Sequence, residues 1–351
     1  MEKQVKKATL KDVAEKAKVS QSTASQAINN IPSARINKLT RARIIKAVEE
    51  LNYQANRVAQ SLADGKTGII GFAISGFMEP LFSTSFFSEL IRGVGAGLDK
   101  CGLKLLLFHP KREFDSVQLY RETIGTGFLD GIILEGNFIK DEFVLRLEKE
   151  DFPYVLIGRE LLNKKVNYVK LDYYGGAFDA VNHLVKLGHR NIGFIGGTSS
   201  EKITNLMERE KGFIHALEEN SIKPVPDIIV RNDGISRDIG YKSMQKILMS
   251  KIKPSAVLAS HDLQAIGAMK AMKDKKIRIP EDIAVIGFDD TPEASMVRPA
   301  LTTIQYPLFD LGRTSSILVH ELINKENTDI CTEKTLPAKL IIRESCGEKI
   351  I

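Results

Sequence analysis

Residues 9–29 read TLKDVAEKAKVSQSTASQAIN, and this stretch decides what the N-terminal part of the chain is. Leu10, Val13, Ala14 and Ala17 recur at i, i+3, i+4 and i+7, one face of a helix. Thr9 stands just before that helix with Asp12 three residues on, so each side chain can satisfy a backbone N–H at the helix start. Lys18-Val19 breaks the pattern, Ser20 offers a second N-cap, and Ala24, Ala27 and Ile28 form a second small apolar face. Two short helices packed through small residues across a tight turn describe a helix-turn-helix. Gln21, Ser22, Ser25, Gln26 and Asn29 are its outward positions, all hydrogen-bonding side chains able to read base edges in a major groove. An ordinary helical hairpin with a polar surface has the same periodicity.

Charge separates the two readings. Of the 50 Lys/Arg and 44 Asp/Glu in the chain, 13 and 6 lie in residues 1–66, giving that part +7 and leaving −1 for the rest. A basic head on a near-neutral body is the electrostatic footprint of nucleic-acid binding. A length of 351 residues suits two or three domains, and 43% hydrophobic with 27% charged residues is an ordinary globular composition. No apolar run approaches the roughly 20 residues of a membrane span, and MEKQVKKATLKD has no apolar signal core, so a cytoplasmic location without a membrane partner is expected. Cys101, Cys331 and Cys346 are odd in number and far apart, and the six histidines show no HxxxH spacing. No disulfide framework, metal site or cofactor is expected.

Asn37 can cap a third helix with Ile44, Ala47, Val48 and Leu51 inward and Arg41, Arg43 and Lys46 outward, the last three as phosphate contacts. Residues 52–63 carry a short helical pattern, Val58, Ala59 and Leu62, about two turns and too short to persist alone in water. Beyond Lys66 short apolar runs alternate with amphipathic stretches. Residues 68–74, 103–108, 131–134 and 154–157 read as buried parallel strands, with helices at 86–100, 116–126 and 142–149. The alternation restarts with strands at 192–195, 228–230, 256–259 and 283–288. The fold class is α/β: a helical head, then two doubly wound parallel-sheet subdomains.

The runs DVAEKAKVSQSTASQAIN and ELNYQANRVAQSLA (residues 50–63), with GFDDT and PALTTI near the C-terminus, resemble the LacI/GalR family of bacterial transcription regulators. The resemblance spans nearly the whole chain. It implies a head at 1–52 and a hinge helix with linker at 53–66. A first lobe is expected at 67–158 with 306–326, and a second at 159–305 with 327–351, the body being periplasmic-binding-protein-like. Three crossings between lobes are implied, with residues 308–323 a helix of the first lobe and 339–343 a strand of the second. DNA contacts are implied at Thr9, Ser20, Gln21, Ser22, Thr23, Ser25, Gln26, Asn29, Asn56, Arg57 and Ala59, with Leu62 as a minor-groove wedge. The implied partners are a near-palindromic double-stranded DNA operator, a second copy of the chain in a homodimer, and a small-molecule effector of sugar type. The segment SMVRPALTTI also resembles the catabolite-control branch, whose members bind a phosphorylated carrier protein.

Three residues depart from the family pattern. Lys18 stands where glycine is common, and in a left-handed conformation lysine costs about 1 kcal/mol relative to glycine. Ala55 replaces a usual proline before the hinge. Gln26 replaces a usual arginine, which moves the preferred base edge from guanine O6/N7 towards adenine N6/N7.

In open α/β sheets ligands bind beyond the carboxyl ends of the strands. Those positions are Ser75, Gly158-Arg159, residues 196–199, Ser260-His261-Asp262 and Asp289-Asp290. They are mostly polar, as a sugar requires, because Asp and Arg each bind two neighbouring hydroxyls. The resemblance adds Arg209 as a ligand-clasping arginine and Asp289 as a ligand-binding aspartate. The expected effector residues are therefore Ser75, Phe86 (as a ring-stacking side chain), Arg159, Arg209, His261 and Asp289. The run Gly93-Val94-Gly95-Ala96-Gly97 lacks GxGxxG spacing and lies inside a helical pattern, which points to helix packing. His261-Asp262 has no GxSxG elbow or evident nucleophile to serve, so no enzyme is expected.

Overall fold

The computed structural model describes residues 8–29, 35–54, 65–74, 85–108, 117, 120–135, 140–161, 164–196, 204–232, 234–324 and 331–347. The chain divides into two compact units, Met1–Thr67 and Gly68–Ile351. Among the described residues no helix is long and apolar enough to cross a membrane.

The head consists of α1 (Leu10–Ala17), α2 (Gln21–Ile28) and α3 (Lys38–Glu50). The expected capping box is present: the Thr9 amide donates to Asp12 Oδ2 at 2.8 Å, and the Asp12 amide to Thr9 Oγ1 at 3.3 Å. Lys18 ends α1 in the left-handed region, φ 53° and ψ 51°. The Val19 amide then reaches back to the Ala14 carbonyl at 3.0 Å, closing the turn that α2 leaves from. Val13, Ala17, Ala27, Ile44 and Ala47 make the core, with Val19, Ile28, Ile36, Val48, Leu51 and Tyr53 packed around it. So small a core depends on what surrounds it. Lys16 of α1 supplies some of this by pairing with Glu50 of α3 at 2.7 Å. Arg43 and Lys46 are exposed as expected, but Arg41 is not. Its Nη1 donates to the Ala27 carbonyl at 3.1 Å, a cation at the C-terminal end of α2 where the helix dipole favours it.

The body holds two six-stranded sheets. The first runs β11-β5-β4-β3-β1-β2 and is parallel throughout. Its strands are β1 (Ile69–Ala73), β2 (Lys104–Phe108), β3 (Gly131–Glu135), β4 (Tyr154–Ile157), β5 (Tyr168–Leu171) and β11 (Glu333–Leu336). The second, β12-β10-β9-β8-β6-β7, is parallel apart from β12. It comprises β6 (Ile192–Gly196), β7 (Ile229–Arg231), β8 (Ala256–Ala259), β9 (Ala284–Phe288), β10 (Thr302–Gln305) and β12 (Lys339–Ile341). The central strands are continuous Val/Ile/Leu/Phe runs because helices cover both faces. On the first sheet α4 (Ser85–Lys100) packs against α11 (Leu308–Ile323), and α5 (Asp141–Lys149) follows β3. On the second lie α6 (Tyr173–Lys186), α7 (Thr204–Glu219), α8 (Arg237–Met249), α9 (Asp262–Asp274) and the short α10 (Pro292–Met296).

The glycine-rich run is a packing device. A Cβ on Gly93 would come 2.1 Å from the Phe309 carbonyl oxygen, so only glycine lets α4 and α11 touch backbone to backbone. The expected lobe boundaries need correction at two strands. Residues 168–171 and 333–336, assigned above to the second lobe, hydrogen-bond in the first sheet as β5 and β11. The chain therefore passes between lobes at residues 171–173, 305–308 and 336–339. Both strands are short, Lys170 interrupts the apolar run of one, and the other is a polar edge strand. Of the helix expected at 116–126, Tyr120–Ile124 forms a single wide π-helical turn. The hinge residues 55–64 lie outside the described residues.

Because Lys18 holds a left-handed conformation, Lys18→Gly should stabilise the head by about 1 kcal/mol. Amide hydrogen exchange in α1 and α2 of the full chain should slow by roughly fivefold. Unchanged exchange would show that Lys18 carries no strain.

Candidate functional site

Two sites emerge, one in each unit. In the head, Ser20 begins α2, its hydroxyl accepting from the Thr23 amide at 3.1 Å and lying 2.8 Å from the Thr23 hydroxyl. That side-chain pair fixes the start of the helix. Gln21, Ser22 and Asn29 are exposed, and Thr23, Ser25 and Gln26 are half-buried beside Ala24 and Ala27, which face the core. The Thr9 hydroxyl also donates to Asp12, so it serves α1 locally. Asn56, Arg57, Ala59 and Leu62 lie outside the described residues.

In the body, the polar groups gather at the carboxyl ends of the second sheet around one buried cation. Arg209 projects from α7 and is only 2% exposed. Its Nη2 donates to Asp289 Oδ1 at 3.2 Å, and its Nη1 donates to the Ser260 carbonyl. The rings of Phe288, Tyr173 and Tyr306 surround it, with centroids 4.8, 5.1 and 5.6 Å from the guanidinium carbon. Its Nε is buried and meets no hydrogen-bond acceptor among the described residues. Burial works against the Arg209 charge, but Tyr306, Asp289 and Tyr173 outweigh it and hold the pKa above the ordinary arginine value. Burial likewise pushes Asp289 up to about 6, while Arg209 pulls it down.

The loop that carries Asp289 is strained and firmly held. Asp289 and Asp290 both have positive φ, 106° and 51°. The Asp289 amide donates to the Ile304 carbonyl at 2.8 Å. Arg343 and Gln305 grip the Asp290 carboxylate at 2.6 and 2.7 Å. Below the loop, Asp262 accepts from the Thr303 hydroxyl at 2.6 Å and the Thr291 amide at 2.7 Å. Asp262 is fully buried, and burial together with nearby Asp289 raises its pKa well above the usual carboxylate range. The His-Asp pair thus has a structural partner set on the Asp side. His261 lies at the N-cap of α9 with Nδ1 3.1 Å from the Ser260 hydroxyl. Burial and the Arg209 charge depress its pKa well below the usual value, so its imidazole is neutral at pH 7.

Of the expected effector residues, Arg209, Asp289 and His261 are therefore brought together through Ser260. Arg159 follows Gly158 at the end of β4 in the first lobe, where Asp141 holds it at 2.7 Å. Phe86 is half-buried on α4, edge-on to Phe87 with ring centroids 5.2 Å apart, and packs against the core. Ser75 lies outside the described residues. Reading strand ends missed the ring cage, because β5 and β10, the strands that Tyr173 and Tyr306 follow, were not among the strands expected from the sequence. It also missed Glu135, buried at the end of β3, and Lys170 and Glu208, which meet at 3.3 Å.

Comparisons with known proteins bear on the family and the fold. Residues 9–56 match the model for bacterial regulatory proteins of the lacI family, and residues 181–346 match a periplasmic binding protein-like domain. Catabolite control protein A of Priestia megaterium is 32% identical over 338 residues, 96% of this chain and 98% of that one. The Lac repressor dimer bound to operator and the anti-inducer ONPF superposes with a TM-score of 0.83 at 28% identity, covering 97% of this chain and 99% of that one. A complex of the transcriptional regulator CelR with cellobiose gives 0.72 at 28% identity, covering 96% and 99%. With a helix-turn-helix head and a two-lobed body matched from end to end, the chain belongs to the lacI family of bacterial regulatory proteins, DNA-binding regulators of transcription.

Proposed function

We propose that the chain is a dimeric repressor whose operator affinity is set by an uncharged sugar or similar polyol held between the lobes. The observation that carries the reading is the Arg209–Asp289 pair inside its aromatic cage, with Arg209 Nε still lacking an acceptor among the described residues. Charged groups that share ligand hydroxyls, beside ring faces that cover an apolar sugar face, are the recognition chemistry of a sugar. Among the described residues the cations of this region are matched by carboxylates: Arg159 by Asp141, Lys170 by Glu160 and Glu208, Arg209 by Asp289 and Arg343 by Asp290. A charge-matched cleft favours hydroxyl-rich neutral ligands over phosphate esters. CelR, similar along its whole length, is seen with cellobiose, which favours the same ligand class. In this reading the effector changes the orientation of the lobes, and that orientation sets operator affinity.

The primary experiment is a melting-temperature screen of the chain with neutral mono- and disaccharides and their phosphate esters. Asp289→Asn keeps the shape and removes the charge. It should weaken the ligand found by about 10- to 150-fold, the ~1.5–3 kcal/mol of a charge-assisted hydrogen bond. The response of operator binding to that ligand should disappear at ordinary concentrations. A parental response in Asp289→Asn would remove this cleft as the effector site.

Protonation makes a separate expectation. Withdrawal from solvent pushes the Asp289 carboxyl up from the ordinary 3.8 to about 6, so its contribution to folding stability falls as pH rises from about 4 through about 6. Ligand hydroxyls donate to the ionised form. Ligand affinity in the parent should therefore decline as pH falls through about 6, with proton uptake on ligand release detectable by calorimetry in buffers of different ionisation enthalpy. A flat affinity from pH 5 to 7.5 would show that Asp289 does not accept from the ligand.

In the head, Gln26 is the proposed base-reading residue that distinguishes this operator. Gln26→Arg should shift the preferred base at one position of each half-site from adenine towards guanine, seen by selection from random DNA. An unchanged preference would take Gln26 out of base reading. A second reading, control by a phosphorylated carrier protein, is favoured by the SMVRPALTTI segment and by the whole-length likeness to catabolite control protein A. A pull-down with the phosphorylated and unphosphorylated carrier separates it from control by a sugar alone.

A further inference from the structure

The residues beside the two cleft arginines form a cluster of their own. Glu160 follows Arg159 after β4, and Glu208 precedes Arg209 on α7. Between them stands Lys170, on β5 of the first sheet. Its ammonium lies 3.1 Å from Glu160 Oε2 and 3.3 Å from Glu208 Oε1. β4 and β5 belong to the first sheet, whereas α7 packs with α6 on the second, so the cluster spans the seam between lobes. Two of its members are largely out of solvent: the side chains of Lys170 and Glu208 are 15% and 19% exposed, whereas Glu160 is more open at 38%. Screening by water is correspondingly weak there, and charge pairs act more strongly than on an open surface.

We propose that Lys170 is a positioning residue that holds the two lobes in register by bridging Glu160 of the first lobe and Glu208 of the second. The bridge connects neighbours of the residues assigned to ligand contact. A change in the seam is thus passed directly to Arg159 on one side and to Arg209 on the other. The sign of the effect follows from the charges. With the ammonium present, each carboxylate is attracted to a shared cation, and closing the lobes is favoured. Without it, two carboxylates face one another across the seam, and closing is opposed. Lys170 is therefore more than a filler of space, because its removal replaces attraction by repulsion.

The proposal deepens the lobe-orientation reading above and rests on it, but it can be tested without effector or operator, so the two can fail separately. Spin labels at Glu142→Cys and Glu218→Cys, both exposed and one on each lobe, report the interlobe distance by double electron–electron resonance in the full chain. Cys101 and Cys331 are replaced by Ser and Cys346 by Ala in that background. Lys170→Met keeps the length of the stem and removes the charge. It should move the ratio of open to closed lobes about tenfold towards open. Lys170→Arg should stay near the parental ratio. Lys170→Met combined with Glu208→Gln should recover most of the closed population, because only one carboxylate is left at the seam. An unchanged distance distribution in Lys170→Met overturns the proposal, and so does an opening that Glu208→Gln fails to reverse, since packing alone would then explain it. If Lys170→Met is too unstable to label, Glu208→Gln alone should shift the parental ratio towards open by a smaller factor, and an unmoved ratio overturns the proposal in that case too.

Discussion

The body of this protein is arranged around one buried charge. A guanidinium withdrawn from water must find opposite charge, acceptors and polarisable faces, or it destabilises whatever encloses it. Arg209 finds Asp289, the Ser260 carbonyl and three aromatic rings. Two of those rings come from the places where the chain changes lobes: Tyr173 opens α6 just after β5, and Tyr306 lies between β10 and α11. They touch each other edge-on, with centroids 5.2 Å apart. The cation is thus enclosed by the crossings themselves, and any rearrangement of the crossings changes its surroundings. This gives a physical reason for the ligand contact proposed at Arg209 to report on lobe arrangement.

How much of this was legible in the sequence depends on whether a signal was local. The head was readable almost to the residue, because caps and small apolar faces are set by neighbours three or four positions apart. Thr9 with Asp12, Ser20 before α2 and Asn37 before α3 all cap as spacing suggests. Arg41 was misread because its partner, the Ala27 carbonyl, belongs to another helix. The central strands of both sheets were visible as apolar runs. β5 and β11 were not, since a lysine in one and edge polarity in the other hide strands whose pairing is set by distant chain. In the cleft, strand ends pointed to Asp289 and His261, but Arg209 needed the family resemblance, and the ring cage had no sequence signal of its own.

The head shows the same economy on a smaller scale. Among the described residues its buried side chains are Val13, Ile44 and the alanines Ala14, Ala17, Ala24, Ala27 and Ala47, and such small side chains contribute little burial each. Polar devices at the helix ends make up the difference: the capping box of α1, the Arg41 contact to the end of α2, and the Lys16–Glu50 pair between α1 and α3. Small core residues bring α1 and α2 close, as a reading helix requires to stand clear of its support. Lys18 in place of glycine runs the other way. It adds a positive charge at the turn between the two helices at the expense of a left-handed lysine, which is a reasonable exchange in a part of the chain that carries +7.

A similar exchange explains the end of β9. Two consecutive aspartates with positive φ are an unusual choice where glycine would be unstrained, at about 1–2 kcal/mol for each non-glycine residue. Glycine has no carboxylate, however, and the two carboxylates do different work. Asp290 is spent on the framework, gripped by Arg343 and Gln305, and so fixes the turn. Asp262 holds the next amide, that of Thr291, from below, and the Asp289 amide is tied to Ile304. With its backbone held from both sides, Asp289 cannot relax by turning away, and its carboxylate stays on Arg209. The strain is sustained because the surrounding bonds over-determine the loop. What the fold gains is a charged group held in one place, so the ligand contact proposed for Asp289 would leave little ordering to do on binding.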